Sequence, residues 1–321
     1  MESRAGAQAP HHARGLRLNP APGRTRRLPQ VATWHTLSPM ERTMARNQSA
    51  RIARAALDPL WQNIREEVAT DAAHEPVLAS FLHATVLNHK SLEDALGFLL
   101  AGKLECSVLP AMLVRELIVD AVEANPAIGR SIRADIRAVG DRDPAAKRFS
   151  EPFLYFKGFH ALQTHRVAHW LWHEGRNALA LFLQNRTSQV FGVDIHPAAR
   201  IGDAILIDHA TSVVIGETAV IEDNVSILHE VTLGGTGKAE GDRHPKVRHG
   251  VLIGAGAKIL GNVEVGRGAK IGAGSVVLED VPPHCTVAGV PAVVVGTPNV
   301  DAPALEMDHR LPCNPDMEDC G

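Results

Sequence analysis

Aromatic side chains are scarce: tyrosine occurs once, tryptophan four times and phenylalanine eight times in 321 residues, while hydrophobic residues make up 45%. Such a balance suits a core of β-branched, aliphatic and small side chains. Cysteine is almost as rare. Cys106, Cys285, Cys313 and Cys320 are scattered with no C-x-x-C pair, and no secretory h-region is present, so a reducing compartment is the expected home. No apolar run approaches the roughly 18 residues that a membrane span requires. Charge of neither sign dominates: the formal net charge of -3 gives no electrostatic case for nucleic acid. The expectation is a cytoplasmic protein with no membrane or nucleic-acid partner.

Acidic residues are nearly missing from the start of the chain. Over residues 1–45 Arg4, Arg14, Arg17, Arg24, Arg26 and Arg27 stand among prolines and alanines, with Glu2 the single acid ahead of Glu41. This segment has too little apolar surface to fold and reads as a disordered or targeting extension. An organellar transit peptide shares the arginine-rich, acid-poor character. The favoured alternative is an inert extension ahead of an internal start at Met40 or Met44.

From 46 to 190 the apolar spacing is helical. Leu57 to Val68, Val77 to Leu87 and Leu92 to Leu100 carry apolar residues three or four apart, and Ser91-Leu92-Glu93-Asp94 reads as a capping box. Asn125-Pro126 breaks a later helix, and Phe153 to Trp172 reads as one further amphipathic helix. Asp141, Arg142 and Asp143 form a polar cluster with the look of a solvated loop.

The pattern changes over residues 191–297. An aliphatic residue returns every sixth position at Ile253, Ile259, Val265, Ile271 and Val277, with small or branched residues four places after each. Six matches neither the helical nor the strand period, so it marks a repeated unit. Three hexapeptides make one triangular coil, and stacked coils bury each aliphatic on its equivalent: a parallel β-helix. The same beat runs through Ile195, Ile201 and Ile207, then slips by two residues before Ile215, Ile221, Ile227 and Leu233. Residues 234–250 lack it and read as a loop thrown out of the stack. Residues 298–321 read as a flexible tail.

Asp208-His209 sits beside the slip. Asp194 lies fifteen residues before His209, so the spacing predicts that the two occupy neighbouring coils with the carboxylate able to steer the imidazole, the usual construction of a general base near neutral pH. In the excursion, Gly241-Asp242-Arg243-His244-Pro245-Lys246 offers a guanidinium fork suited to a carboxylate.

These residues resemble the serine O-acetyltransferases. The resemblance rests on Phe156-Lys157-Gly158-Phe159-His160-Ala161-Leu162-Gln163, Val193-Asp194-Ile195-His196-Pro197-Ala198-Ala199 and Asp208-His209-Ala210-Thr211. It continues through Val214-Ile215-Gly216-Glu217-Thr218-Ala219-Val220, Thr232-Leu233-Gly234-Gly235-Thr236-Gly237-Lys238 and the Gly241 to Lys246 segment, covering roughly residues 55 to 297. It implies an N-terminal α-helical domain followed by a left-handed parallel β-helix, and acetyl transfer from acetyl-CoA to L-serine without a metal. The implied general base is His209, oriented by Asp194. Serine-binding positions fall on Asp143, Asp208, Arg243 and His244, and the acetyl-CoA groove on Gly235, Ala255, Lys270 and Ala273. The resemblance further implies a homotrimer, or a hexamer paired through the helical domains, and feedback inhibition by L-cysteine. A complex with O-acetylserine sulfhydrylase through the chain's last residues is also a family trait. Docking tails of that kind end in isoleucine; this chain ends in Cys320-Gly321, which argues against the complex.

Two other enzymes on the same scaffold compete. A γ-class carbonic anhydrase would use His209, His244 and His249 as metal ligands, and another hexapeptide acyltransferase would use a different acceptor. A catalytically idle scaffold subunit is the reading from outside enzymology.

Overall fold

The computed structural model describes residues 58–237 and 240–311. The expected extension over 1–45 and the last residues of the expected tail lie outside them.

Helices come first. They run as α1 (Pro59–His74), α2 (Pro76–Leu82, continued by a π turn to Leu87), α3 (Leu92–Leu104), α4 (Ala111–Ala124), α5 (Pro126–Arg142), α6 (Ser150–Tyr155), α7 (Lys157–His173) and α8 (Asn177–Phe191). Among these described residues no helix is long and apolar enough to cross a membrane. Local chemistry sets the boundaries. Asp58 accepts a hydrogen bond from the Trp61 amide at the head of α1, Ser91 from the Asp94 amide at the head of α3, and Asn125 from the Ala127 amide at the head of α5. The helix expected over Phe153 to Trp172 is two helices, because Phe156 turns out of helical geometry at φ -85°, ψ 109°. The break lets Gly158 press against the Ile207 carbonyl and Ala210, where any Cβ would overlap the backbone.

The second half is a triangular stack of five coils. The first holds β1 (Val193–Ile195), β2 (Arg200–Ile201) and β3 (Leu206–Ile207); the second β4 (Val213–Ile215), β5 (Val220–Ile221) and β6 (Ser226–Ile227). The third holds β7 (Thr232–Gly234), β8 (Lys246–Val247) and β9 (Leu252–Ile253); the fourth β10 (Lys258–Leu260), β11 (Glu264–Val265) and β12 (Lys270–Ile271). The fifth has β13 (Val276–Val277) and β14 (Thr286–Gly289), closed by the antiparallel β15 (Ala292–Gly296). Every third strand pairs in parallel, giving face 1 (β1-β4-β7-β10-β13), face 2 (β2-β5-β8-β11) and face 3 (β3-β6-β9-β12-β14). Ile195, Ile215, Leu233 and Ile259 form one buried column inside face 1. That column is the hexapeptide metre made solid.

Two departures from the metre matter. Val214 pairs with Thr232 and Lys258 with Val276, eighteen positions apart, but Val193 pairs with Val213, two residues further on. The extra length is taken up at the corner after β3, where His209 and Ala210 adopt φ 55° and 60° ahead of Ser212 at φ 62°. Later coils fill the position of Ser212 with Glu230, Gly256 and Gly274, also left-handed. The excursion in the third coil is shorter than 234–250, since Lys246-Val247 already pair with Val220-Ile221 and Val247 is fully buried. Residues 298–311 are likewise not a free tail. Pro303–Glu306 form a short helix, α9, Ala304 is fully buried, and the Ser226 hydroxyl donates to the Ala304 carbonyl at 2.8 Å.

Buried polar pairs weld the helices to the first two coils. Asp135 accepts from Arg166 at 2.7 Å and from the Ile205 amide at 3.0 Å. Arg142 is buried, not solvated, and donates to Asn224 at 2.9 Å and to the Ser226 hydroxyl at 3.2 Å. Burial pulls the Arg142 pKa down to about 10.

On α7, His160 donates from Nε2 to the Phe153 carbonyl at 2.8 Å, and burial pushes its pKa down to about 4. The unfolded chain takes up this proton below pH ~6.5 and the folded chain refuses it. Stability from this group is therefore complete above pH 6.5. It drains away as the pH falls from 6.5 toward 4, by up to roughly 3 kcal/mol. The thermal midpoint is expected to drop between pH 7 and pH 5, and to drop less in His160→Gln, whose amide nitrogen still donates; an equal drop in both would assign the effect to other groups.

Candidate active site

The corner between faces 3 and 1 carries the first constellation. His209 follows Asp208 at the end of the first coil, with 76% of its side chain exposed and Nε2 3.9 Å from Asp208 Oδ1. The corner holds its left-handed shape through amide-to-carbonyl bonds from Ala210 to Asp208, from Thr211 to His209 and from Ser212 to Gly192. Lys157 Nζ donates to the Thr211 hydroxyl at 2.5 Å, tying the corner to α7. One coil further on, the His229 ring meets the His209 ring edge to face, centroids 5.9 Å apart, and its buried Nδ1 has no hydrogen-bond partner. In the next two coils the equivalent positions after β9 and β12 are Ala255 and Ala273. The corner is thus a column: two imidazoles, then two methyl groups.

Asp143 approaches the same corner from the helical side. It caps α5 immediately after the anchored Arg142 and accepts from the Ala145 amide at 2.8 Å. Val139, Ala146, Leu206 and Met307 pack together there, so the end of α5 lies on the outer side of face 3, where Asp208 also begins. Lys270 projects from β12 on this face, its Nζ donating to the Arg310 carbonyl, while Leu311 packs on Gly272. Burial lowers the Lys270 pKa.

The second constellation lies at the other end of face 1, where it meets face 2. Asp194 projects outward from the middle of β1, between the buried Val193 and Ile195, and Gln184 Nε2 donates to its Oδ1 at 2.6 Å. His196 accepts the Ala198 amide at Nδ1 and meets the Trp172 ring edge to face. In the second coil Glu217 accepts from Arg243 Nη2 at 2.6 Å, and this pairing holds the Glu217 carboxyl below its ordinary range. His244 is buried against Gly216, where a Cβ would overlap the ring; burial and the neighbouring Arg243 lower its pKa. Gly235 follows β7 against the Arg243 backbone and aliphatic stem.

One chain therefore separates the residues expected to work together. Asp143, Asp208, His209, Ala255, Ala273 and Lys270 gather on one side; Asp194, Gly235, Arg243 and His244 gather on the other. Face 1, roughly 15 Å across at about 3.3 Å per residue, lies between His209 and the Arg243-His244 pair, and Asp194 stands on that face. Asp194 and His209 belong to the same lengthened coil, not to neighbouring ones, because the register pairs Val193 with Val213. Among the described residues no hydrogen bond joins them within the chain. His249 follows β8 on the corner between faces 2 and 3, so His209, His244 and His249 stand on three different corners.

Sequence reasoning missed His229, Gln184 and the pairing of Glu217 with Arg243. The signal for His229 was present: it follows Leu228 as His209 follows Asp208, just after the paired strands β6 and β3.

The family description "Serine acetyltransferase, N-terminal" matches residues 60–164, and "Bacterial transferase hexapeptide (six repeats)" matches 244–279. A serine acetyltransferase of Escherichia coli K12 is 61% identical over 255 residues, 79% of this chain and 93% of the relative. A crystal structure of serine acetyltransferase in complex with coenzyme A from Brucella abortus superposes with a TM-score of 0.75 at 57% identity, covering 75% of this chain and 97% of that one. A serine acetyltransferase complex with cysteine superposes with a TM-score of 0.77 at 56% identity, covering 78% and 98%.

Proposed function

The chain belongs to the serine acetyltransferase family, and from that premise we propose that the two constellations are half-sites, joined where two copies of the chain meet along face 1. The protein is an acyltransferase that moves acetyl from acetyl-CoA to the hydroxyl of L-serine. Its residues divide the work. His209 takes the proton from the serine hydroxyl, and Asp194 of the adjacent subunit orients the imidazole and stabilises its charged form. Asp143 and Asp208 hold the serine ammonium; Arg243 and His244 of the adjacent subunit hold its carboxylate. Positioning of this kind supplies much of the acceleration.

Acetyl-CoA supplies an activated acyl group, and the residues fit a long thin ligand of that kind. Below His209 and His229 the corner carries only the methyl groups of Ala255 and Ala273, and Lys270 offers a cation beside them. His229, edge-on to the base, lines the same passage.

The observation that carries the joining of half-sites is the character of the three faces. Face 3 is covered by α5, α9 and residues 307–311. Face 2 is charged, with Arg248 bridging Glu222 and Glu264. Face 1 carries Val214 at 39% exposure and Leu278 at 50%, uncovered aliphatics on its outward side, while the exposed Val293, Val294 and Val295 lie on β15 at the far edge of face 3. Packing face 1 against a neighbour's corner in a closed ring makes a heterologous trimer interface. Val77, Val108 and Met112, all more than two-thirds exposed, are uncovered apolar side chains of the helical half, of the kind that pairing of trimers into hexamers would bury. The 61% identity to a bacterial enzyme supports a cytoplasmic setting. The relative bound to cysteine supports feedback inhibition at the serine subsite, because cysteine differs from serine only in its thiol.

The test is thiol release from acetyl-CoA. Release is expected to require L-serine and to be suppressed by L-cysteine in competition with serine. Equal release with another hydroxylated acceptor would move the chain to a different acceptor class.

A further inference from the structure

Thr218 makes five hydrogen bonds to the loop that carries Arg243 and His244. Its hydroxyl oxygen accepts the main-chain N–H of Arg243 at 3.0 Å and of His244 at 3.1 Å. Its carbonyl accepts from Lys246 Nζ at 3.0 Å, and the same ammonium closes onto the His244 carbonyl and onto Asp242. With two N–H groups already on the oxygen, the hydroxyl proton points to His244 Nδ1 at 2.9 Å. The Thr218 N–H reaches that nitrogen too, at 3.2 Å. Asp242, held by Lys246 at 2.6 Å, is a second acceptor for the hydroxyl, but the main-chain N–H occupies the Nδ1 lone pair in either case.

A nitrogen that receives two donors must keep its lone pair. The neutral ring of His244 therefore carries its proton on Nε2. Gly216 supplies the space in which the ring lies.

We propose that Thr218 is a positioning residue for serine recognition: it fixes the Nε2–H tautomer of His244 and the course of the Arg243-His244 backbone, so that the pair presents preset donors to the substrate carboxylate. This rests on the reading of Arg243 and His244 as the carboxylate-binding pair. A histidine free to choose its tautomer would present a donor or a lone pair; only the donor suits a carboxylate.

Thr218→Val keeps the shape and removes the hydroxyl. It is expected to raise the KM for L-serine about tenfold, the scale of one lost hydrogen bond to a charged group, with kcat and the KM for acetyl-CoA within about threefold. Thr218→Ser is expected to restore the serine KM to within about threefold of the parent. If Val cannot be accommodated, Thr218→Ala, smaller and also without a hydroxyl, carries the same expectation. In a double-variant cycle, Thr218→Val with His244→Ala is expected to fall short of the product of the two single effects, because the threonine acts partly through the imidazole. An unchanged serine KM, a loss in kcat that Ser does not rescue, or fully multiplicative effects would each overturn the proposal. If His244→Ala and Arg243→Ala themselves leave the serine KM unchanged, the carboxylate reading fails instead.

Discussion

Replacing His209 by Ala is expected to lower kcat by about 10² to 10⁴, the usual worth of a positioned general base, while leaving both KM values within a few-fold and lowering the thermal midpoint only slightly. The expectation of an intact fold follows from the position. The side chain is 76% exposed, meets the His229 ring edge to face and approaches Asp208 at 3.9 Å. The backbone at 209 is left-handed at φ 55°; histidine and asparagine tolerate that region better than alanine does. His209→Asn is therefore the matched control. It is expected to keep the corner and lose the base, and so to fall in kcat as far as the alanine variant. Initial rates of thiol release, with melting curves alongside, measure both. An alanine variant that turned over at the parental rate would take proton abstraction away from this imidazole.

The same corner shows how far the sequence could be read. The aliphatic metre identifies inward residues such as Ile215, Leu233 and Ile259 because burial on the equivalent residue of the next coil is a local, repeating demand. The two-residue slip marked the place where the chain departs from that demand, and it marks the His209 corner. What the metre cannot report is which side chains of different corners meet. It gives the face on which Asp194 sits, not the lateral distance to His209, and a same-chain pairing does not occur among the described residues. Helical periodicity has a similar limit. It detected the α7 region but not the break at Phe156, which is imposed by the approach of Gly158 to Ile207. Arg142 read as solvated because charge ordinarily is; here Asn224 and Ser226 from the second coil satisfy it. The segment after residue 298 lacked any periodicity, yet Ala304 is buried through one hydroxyl-to-carbonyl bond and a hydrophobic seat. Contacts distant in sequence decide all of these.

The second large effect comes from mixing inactive chains. Arg243 is held by Glu217 at 2.6 Å on the far side of face 1 from His209, so its removal damages one half-site and leaves the other whole. Arg243→Ala is expected to raise the serine KM about 10- to 100-fold through loss of a charge-assisted contact. At serine concentrations well below the parental KM it retains only about 1 to 10% of the parental rate, well under the quarter expected of restored sites. Neither variant disturbs the half-site that the other lacks.

The direct measurement is co-expression of His209→Ala and Arg243→Ala chains under separate tags, followed by purification of mixed oligomers and assay at low serine. With half-sites contributed by adjacent subunits, a site is intact when the subunit giving His209 is the Arg243→Ala chain and its neighbour is the His209→Ala chain. In a randomly mixed ring that is one site in about four, so activity is expected to return to about a quarter of the parental value. Mixed oligomers as inactive as either variant alone would contradict the account, because they would place His209 and Arg243 of one and the same chain in every working site.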